Sequence, residues 1–302
     1  MIIKSKISKQ SILYALKKDI DYSVFCKNDF SDYIRFKTNY SKKFFDIEKY
    51  RNTPKKYSIL MYNLNNYETF TEPDLIDYEC EYIYITDDKT IKSNVYKIIY
   101  IEPDYDDIFK TCYSIRFNLF NYATTPVCIY IDASVKIFRS LKPLYNMFMQ
   151  QNYDIGLLIH KRFNFVDEYM TWINTRNYNP EIAQKNILYF INNNYDLNYK
   201  GLYEGTLRIV KNTELNKKID TMCYSLIKEL GTNNKVERID QIIYSYILNK
   251  YFNYISVLPL SNSILTSSFM HKQFHASNTF CPKFELEDSY LFNKKCLLKT
   301  IE

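Results

Sequence analysis

The sequence predicts an α/β protein, a mixed and mainly parallel sheet flanked by helices. Three observations carry that expectation. Short apolar runs rich in β-branched and aromatic residues recur along the chain, as strands buried on both faces require. Segments with helical apolar spacing lie between them, the alternation that builds such sheets. One run, Pro-Val-Cys-Ile-Tyr-Ile-Asp-Ala-Ser from Pro126 to Ser134, ends on the carboxylate of Asp132. Ligands of open α/β sheets bind beyond the carboxyl ends of the strands. An acid there is placed to hold a divalent cation and, through it, a phosphate; it equally suits a turn or a helix cap.

Taken in order, residues 1–56 read as two or three short basic helices or loops. Leu13, Leu16 and Ile20 share helical spacing, Phe44, Phe45 and Ile47 form a second apolar face, and Pro54 closes the segment. This sets off a basic N-terminal extension at 1–56 from one domain at 57–302. Tyr57–Leu64 is a first strand, followed by a loop at Asn65, Asn66 and Tyr67. Cys80–Thr86 is a second, and Tyr96–Ile101 a third, stopped at Glu102-Pro103-Asp104. Asp106–Tyr122 is helical, with Ile108, Cys112, Ile115 and Leu119 on one face, and it carries Arg116. Strand Val127–Ile131, helix Leu141–Met149 and strand Tyr153–Ile159 follow, the last delivering His160, Lys161 and Arg162. Helices at Val166–Arg176 and Glu181–Asn193 come next, with Pro180 at the start of the second. Tyr199–Gly205 reads as a loop and Thr206–Lys211 as a strand. Leu215–Leu230, ended by Gly231, and Glu237–Tyr251 are helices. Tyr254–Leu258 is a short last strand, and the tail from Pro259, with His271 and His275, is irregular.

Composition narrows the classes. Apolar residues make up 46% and charged residues 25%, enough for a sizeable core. The 31 tyrosines and 20 phenylalanines accompany abundant Lys, Asn and Ile. These residues share A/T-rich codons, so the aromatics are not read as base-stacking platforms. The charge of +6 is uneven: residues 1–56 hold 14 Lys/Arg against 6 Asp/Glu, or +8, which leaves −2 for the rest. Such an arm suits a solvated helical face, and leaves peripheral contact with an anionic membrane open. A nucleic-acid partner is not expected, because no stripe of basic and stacking residues alternates in the core. Seven cysteines at irregular spacing argue against a disulfide framework. No CxxC pair, G-x-G-x-x-G or Walker A loop occurs. With no export signal and no membrane-length apolar run, a soluble cytoplasmic protein is expected.

Three polar clusters sit at strand ends or loop edges. They are Asp132 with Ser134; His160, Arg162 and Glu168; and Glu204 with Arg238, Asp240 and Gln241. Singly, each also fits a surface residue or, for Asp240, a helix-dipole partner. Their order sharpens the matter. Tyr130-Ile131-Asp132-Ala133-Ser134, then His160-Lys161-Arg162 and Glu168, then Gly201-Leu202-Tyr203-Glu204 with Arg208, then Asp240-Gln241, resembles a glycosyltransferase-like domain family of GT-A type. That family occurs in bacterial polysaccharide loci and plant Golgi proteins. The likeness covers roughly Tyr57–Tyr254. It departs from the family where Ile239 separates Arg238 from Asp240, and where Glu204-Gly205-Thr206 replaces a Glu-Thr-Gly order.

The resemblance implies a GT-A-like, Rossmann-like fold, a nucleotide-sugar donor and a glycan or other hydroxyl acceptor. It implies Mn²⁺ or Mg²⁺ held by Asp132 and Ser134, with His271 or His275 as a further ligand; histidine favours Mn²⁺. Asn65, Arg116, His160, Arg162, Glu168 and Gln241 are the donor-binding candidates, the two arginines for the diphosphate. Asp240 and Glu204 are the catalytic carboxylates, one of them a base if the reaction inverts. With Asp-x-Ser in place of Asp-x-Asp, the alternative is a catalytically inactive GT-A-like protein that binds carbohydrate or a partner.

Overall fold

The computed structural model describes residues 45–160, 180–196, 202–231, 239–261, 264–265 and 270–272. In chain order these form α1 (Ile47–Asn52), β1 (Tyr57–Asn63), β2 (Cys80–Thr86), β3 (Lys97–Tyr100) and α2 (Ile108–Arg116). Then come β4 (Val127–Ile131), β5 (Val135–Ile137), α3 (Lys142–Gln150), β6 (Ile155–Ile159) and α4 (Pro180–Asn192). The chain continues with β7 (Tyr203–Lys211), α5 (Glu214–Leu230), α6 (Asp240–Lys250), β8 (Val257–Leu260) and β9 (Met270–Lys272).

Seven strands form one sheet in the order β3-β2-β1-β4-β7-β6-β8. All of its pairings are parallel except those on either side of β7, which runs against both β4 and β6. The fold is therefore mixed α/β with a mainly parallel sheet, as expected. Its first four strands stand in the Rossmann order, which puts a topological switch point between β1 and β4.

Strand alternation sorts the side chains into two layers. Leu60, Ile83, Cys128 and Tyr130 lie on one face, with residues of α2, α4, α5 and α6. Ile59, Tyr82, Ile129 and Ile131 lie on the other, with residues of α1, α3, β5 and β9. With both faces covered, β4 is buried throughout, which is why it reads as a continuous apolar run. In α1, Tyr50 packs into the second layer and donates its hydroxyl to the Val95 carbonyl.

Three expectations are corrected. The helix expected over Asp106–Tyr122 starts at the Asp107 cap and ends at Arg116; a single 3₁₀ turn, Leu119–Asn121, follows. The segment read as a loop up to Gly205 is strand from Tyr203 onward, so Glu204 and Gly205 belong to β7. The tail is not irregular throughout: β8 runs to Leu260, and β9 pairs antiparallel with β5. A three-residue strand leaves too short a period to detect in sequence. The helix expected at Val166–Arg176 lies outside the described residues.

Candidate functional site

Because β7 is reversed, its amino end lies at the same edge as the carboxyl ends of the parallel strands. That edge gathers Asn65 after β1, Asp132 after β4, His160 after β6, and Tyr203, Glu204 and Gly205 at the start of β7. Two helix ends complete it. Arg116 is the last residue of α2, and Asp240 is the first of α6, where an acid complements the helix dipole.

Arg116 is the hub. Its Nη1 pairs with Asp240 Oδ2, and its Nη2 donates to Asp132 Oδ1 at 3.0 Å and to the Tyr130 hydroxyl at 3.1 Å. Tyr130 donates in turn to the same Asp132 oxygen. Tyr113, one helical turn before Arg116, donates to Asp240 Oδ1 at 3.3 Å. The guanidinium also lies 5.2 Å from the Tyr130 ring centroid, at cation–π distance. Burial opposes its charge, but the carboxylates of Asp240 and Asp132 beside it hold it well above its usual range. Burial likewise pushes the Tyr130 phenol far up, so it stays a proton donor. Cys112, in the same helix, is pushed up to about 11 by burial and is no ready nucleophile.

Asp132 keeps one oxygen without a hydrogen bond from the described residues, and its side chain is 28% exposed. Its backbone is fixed by donation to the Thr206 carbonyl at 2.9 Å. Here β7 steps out of register: Leu157 faces Arg208, yet Leu158 faces Glu204. The bulge places Gly205 against the ion pair. A Cβ at Gly205 would sit 3.1 Å from Arg116 Nη1 and 3.4 Å from Asp240 Oδ2. Glu204 accepts from Thr206 Oγ1 at 2.8 Å and lines a small pocket with Arg116, Gly205, Asp240 and Gln241.

Beneath this pocket lies a second ion pair. Arg208 is 1% exposed and makes bidentate contacts to Asp220 at 2.8 and 2.9 Å. Burial, opposed by Arg208, pushes the Asp220 carboxyl up to about 6. Asp220 holds the Arg208 guanidinium above its usual range against its own burial, so the pair is ionised at neutral pH.

The structure thus brings together Arg116, Asp132, Glu204, Asp240 and Gln241. Asn65 stands on the same edge with positive φ (57°), its N–H donating to both oxygens of Asp87 at 3.0 Å. His160 is buried, and its N–H donates to the Leu202 carbonyl at 2.9 Å. Ser134 is buried in the turn between β4 and β5. In β9 the backbone of His271 stands opposite Lys136 of β5, two residues past Ser134. Arg162, Glu168, Arg238 and His275 lie outside the described residues.

Sequence reasoning passed over Tyr130, Tyr113 and Asp220. The first two had a signal: Tyr130 is two residues before Asp132 on a strand, and Tyr113 three before Arg116 on a helix, so each shares a face with its partner. Asp220 had none, because its pairing with Arg208 exists only after α5 packs on the sheet.

Arg116, Asp132 and Asp240 sum to −1, and Glu204 adds a second negative charge nearby. That balance and the open oxygen of Asp132 fit a hard cation, for which Asp132 supplies one ligand. Among the described residues, no three His, Cys, Asp or Glu side chains cluster to hold a metal ion. Nor is any helix among them long and apolar enough to cross a membrane.

No family model matches the chain, and no curated protein matches it in sequence. Among solved structures it is similar to mouse xyloside xylosyltransferase 1 in its apo form. Identity is 10%, the match covers 68% of this chain and 85% of that one, and the TM-score is 0.38. A superposition that loose carries no function across.

Proposed function

We propose that this chain is a glycosyltransferase, moving a sugar from a nucleotide-diphosphate sugar to a glycan or other hydroxyl acceptor. The observation that carries the proposal is Asp132, fixed by Arg116 and Tyr130 beyond the end of β4 at the switch point of the sheet. Ligands of such sheets bind there. In the transfer, the acceptor oxygen bonds to the anomeric carbon, and the bond from that carbon to the phosphate oxygen breaks. The electron pair leaves with the diphosphate. Arg116 holds Asp132 and Asp240 in place and offsets one of their two charges, so the positive charge for the departing group has to come from a bound cation. A bound Mn²⁺ or Mg²⁺ would add charge there, held by the open oxygen of Asp132, with Ser134, His271 and His275 as the other candidate ligands.

If configuration inverts, a carboxylate takes the acceptor proton. Asp240 is tied to Arg116, which favours its charge-balancing part; Glu204, which accepts from Thr206 Oγ1 and lines the pocket, is the other candidate base. If configuration is retained, the acceptor proton goes to the departing phosphate oxygen, and Glu204 faces the positive sugar ring instead. Asn65 and the loop after β1 are the proposed seat of the nucleoside, and His160, Arg162, Glu168 and Gln241 are further donor contacts.

The test is a panel of nucleotide sugars with Mn²⁺ or Mg²⁺, reading free nucleoside diphosphate. Asp132→Asn, folded by circular dichroism, is expected to lose at least 100-fold in turnover. A wild-type protein that neither binds nor turns over any donor refutes the proposal. A second reading, an inactive binding protein, is favoured by the single carboxylate of Asp132-x-Ser134. Calorimetry showing carbohydrate affinity without nucleotide affinity would select it.

A further inference from the structure

Two acids share one arginine, and they are held unequally. Asp240 has both carboxylate oxygens engaged: Oδ2 pairs with Arg116 Nη1, and Oδ1 accepts from the Tyr113 hydroxyl at 3.3 Å. Among the described residues, Asp132 has only Oδ1 engaged, by Arg116 Nη2 at 3.0 Å and by the Tyr130 hydroxyl. The Asp240 side chain is 7% exposed, that of Asp132 28%. The acid at the start of the helix is closed, and the acid at the end of the strand has an oxygen to offer.

That asymmetry runs against the ordinary habit of such pairs. An arginine beside a carboxylate tends to close on it with two parallel N–H···O bonds. An end-on fork over Asp132 would cover Oδ2, and it needs Nη1 as well as Nη2. Nη1 is the nitrogen that Asp240 takes. Tyr130 adds a restraint on the other side. Its hydroxyl accepts from Nη2 at 3.1 Å and donates to Asp132 Oδ1, which keeps Nη2 beside Oδ1. Asp240 is suited to hold Nη1, because as the first residue of α6 it keeps its negative charge in the field of the helix dipole. The approach is open because residue 205 has no side chain: a Cβ there would lie 3.1 Å from Nη1 and 3.4 Å from Asp240 Oδ2.

We propose that Asp240 is a positioning residue, which draws Arg116 Nη1 aside so that Asp132 keeps an oxygen open to a ligand. The two carboxylates then have different parts. Asp240 divides the guanidinium, Asp132 meets the ligand, and the base of an inverting transfer falls to Glu204. That the ligand is a nucleoside diphosphate with its cation rests on the proposed function; the division of the guanidinium does not.

The experiment compares Asp240→Asn with Asp240→Leu. Both remove one negative charge, so any loss of attraction for a cation is common to the two. Only the Asn side chain keeps an oxygen that accepts from Nη1. In crystal structures, Nη1 is expected to stay on Asn in the first variant and to turn onto Asp132 Oδ2 in the second. In calorimetry with uridine or guanosine diphosphate and Mn²⁺, the Leu variant is expected to bind at least tenfold more weakly than the Asn variant. Without Mn²⁺ the two are expected to bind alike, whereas a merely loosened fold would weaken both titrations. Equal affinities with Mn²⁺, or an Asp132 Oδ2 still open in the Leu variant, overturn the proposal. So does a wild-type crystal structure in which Arg116 already covers both oxygens of Asp132, a result that needs no variant to fold. If the wild type binds neither diphosphate, the glycosyltransferase proposal fails instead, and the crystal structures alone decide the positioning.

Discussion

Arg116→Met separates the two carboxylates that this residue joins, and its cost follows from how each is buried. The Asp240 side chain is 7% exposed and loses its guanidinium partner; among the described residues it keeps the Tyr113 hydroxyl. Stranding a buried charge in this way costs about 3–5 kcal/mol. The Asp132 side chain is 28% exposed and keeps Tyr130, so its share is that of a solvent-screened pair, about 0–1 kcal/mol. The sum is about 3–6 kcal/mol, a large part of an ordinary domain's stability. Urea unfolding at pH 7 measures this, with Arg116→Met/Asp240→Leu as the control: removing the stranded carboxylate as well is expected to recover much of the loss. A single variant within about 1 kcal/mol of wild type, or a double variant no more stable than the single one, would refute the account of Arg116 as the hub.

Two further outcomes follow from neighbouring residues. Gly205→Ala puts a methyl 3.1 Å from Arg116 Nη1, closer than ordinary van der Waals contact, so the ion pair must shift by a few tenths of an ångström. A loss of about 1–3 kcal/mol in urea unfolding is expected, with a larger proportional loss in donor turnover, and an Ala variant equal to wild type in both removes the close approach from the account. Asp220, held at about 6 when folded, takes up a proton between pH 6 and 4 that the unfolded chain does not, so its titration adds stability as pH falls across that window. The shift of about two units corresponds to roughly 3 kcal/mol; Asp220→Asn lacks it, so the midpoint gap between wild type and variant should widen from pH 6 to 4.

What the sequence made legible was local. Cys80–Thr86 and Val127–Ile131 read as strands with the bounds they have, because each is a buried run with turn residues on either side. Asp132 stood out because it breaks such a run. Gly205 carried a signal that was read the wrong way: a glycine between two strand-like stretches marks a bulge or a close backbone approach as readily as a loop. Here it marks both, and β7 starts three residues earlier than the expected Thr206. The tyrosines were set aside as codon bias, which accounts for their number and says nothing of where they fall. Tyr62 and Tyr130 stack at 5.7 Å beside the guanidinium, Tyr130 in strand register with the acid it serves.

The pairings were out of reach for a physical reason. Arg116 meets residues 16 and 124 positions away, and Arg208 meets a carbonyl 92 positions away. Those contacts are set by the order of the strands, not by any spacing along the chain. One reversed strand does most of this. Were β7 parallel to its neighbours, its carboxyl end, Lys211, would reach the edge where Asp132 lies, and Glu204 and Gly205 would sit at the far side of the sheet. Running backwards, it brings Glu204 to the mouth of the pocket, sets Gly205 against the ion pair, and carries Arg208 one step beneath, opposite Tyr130. The spacing of Glu204, Gly205 and Arg208 along the sequence thus becomes depth in the site. The acid comes first and the supporting arginine last.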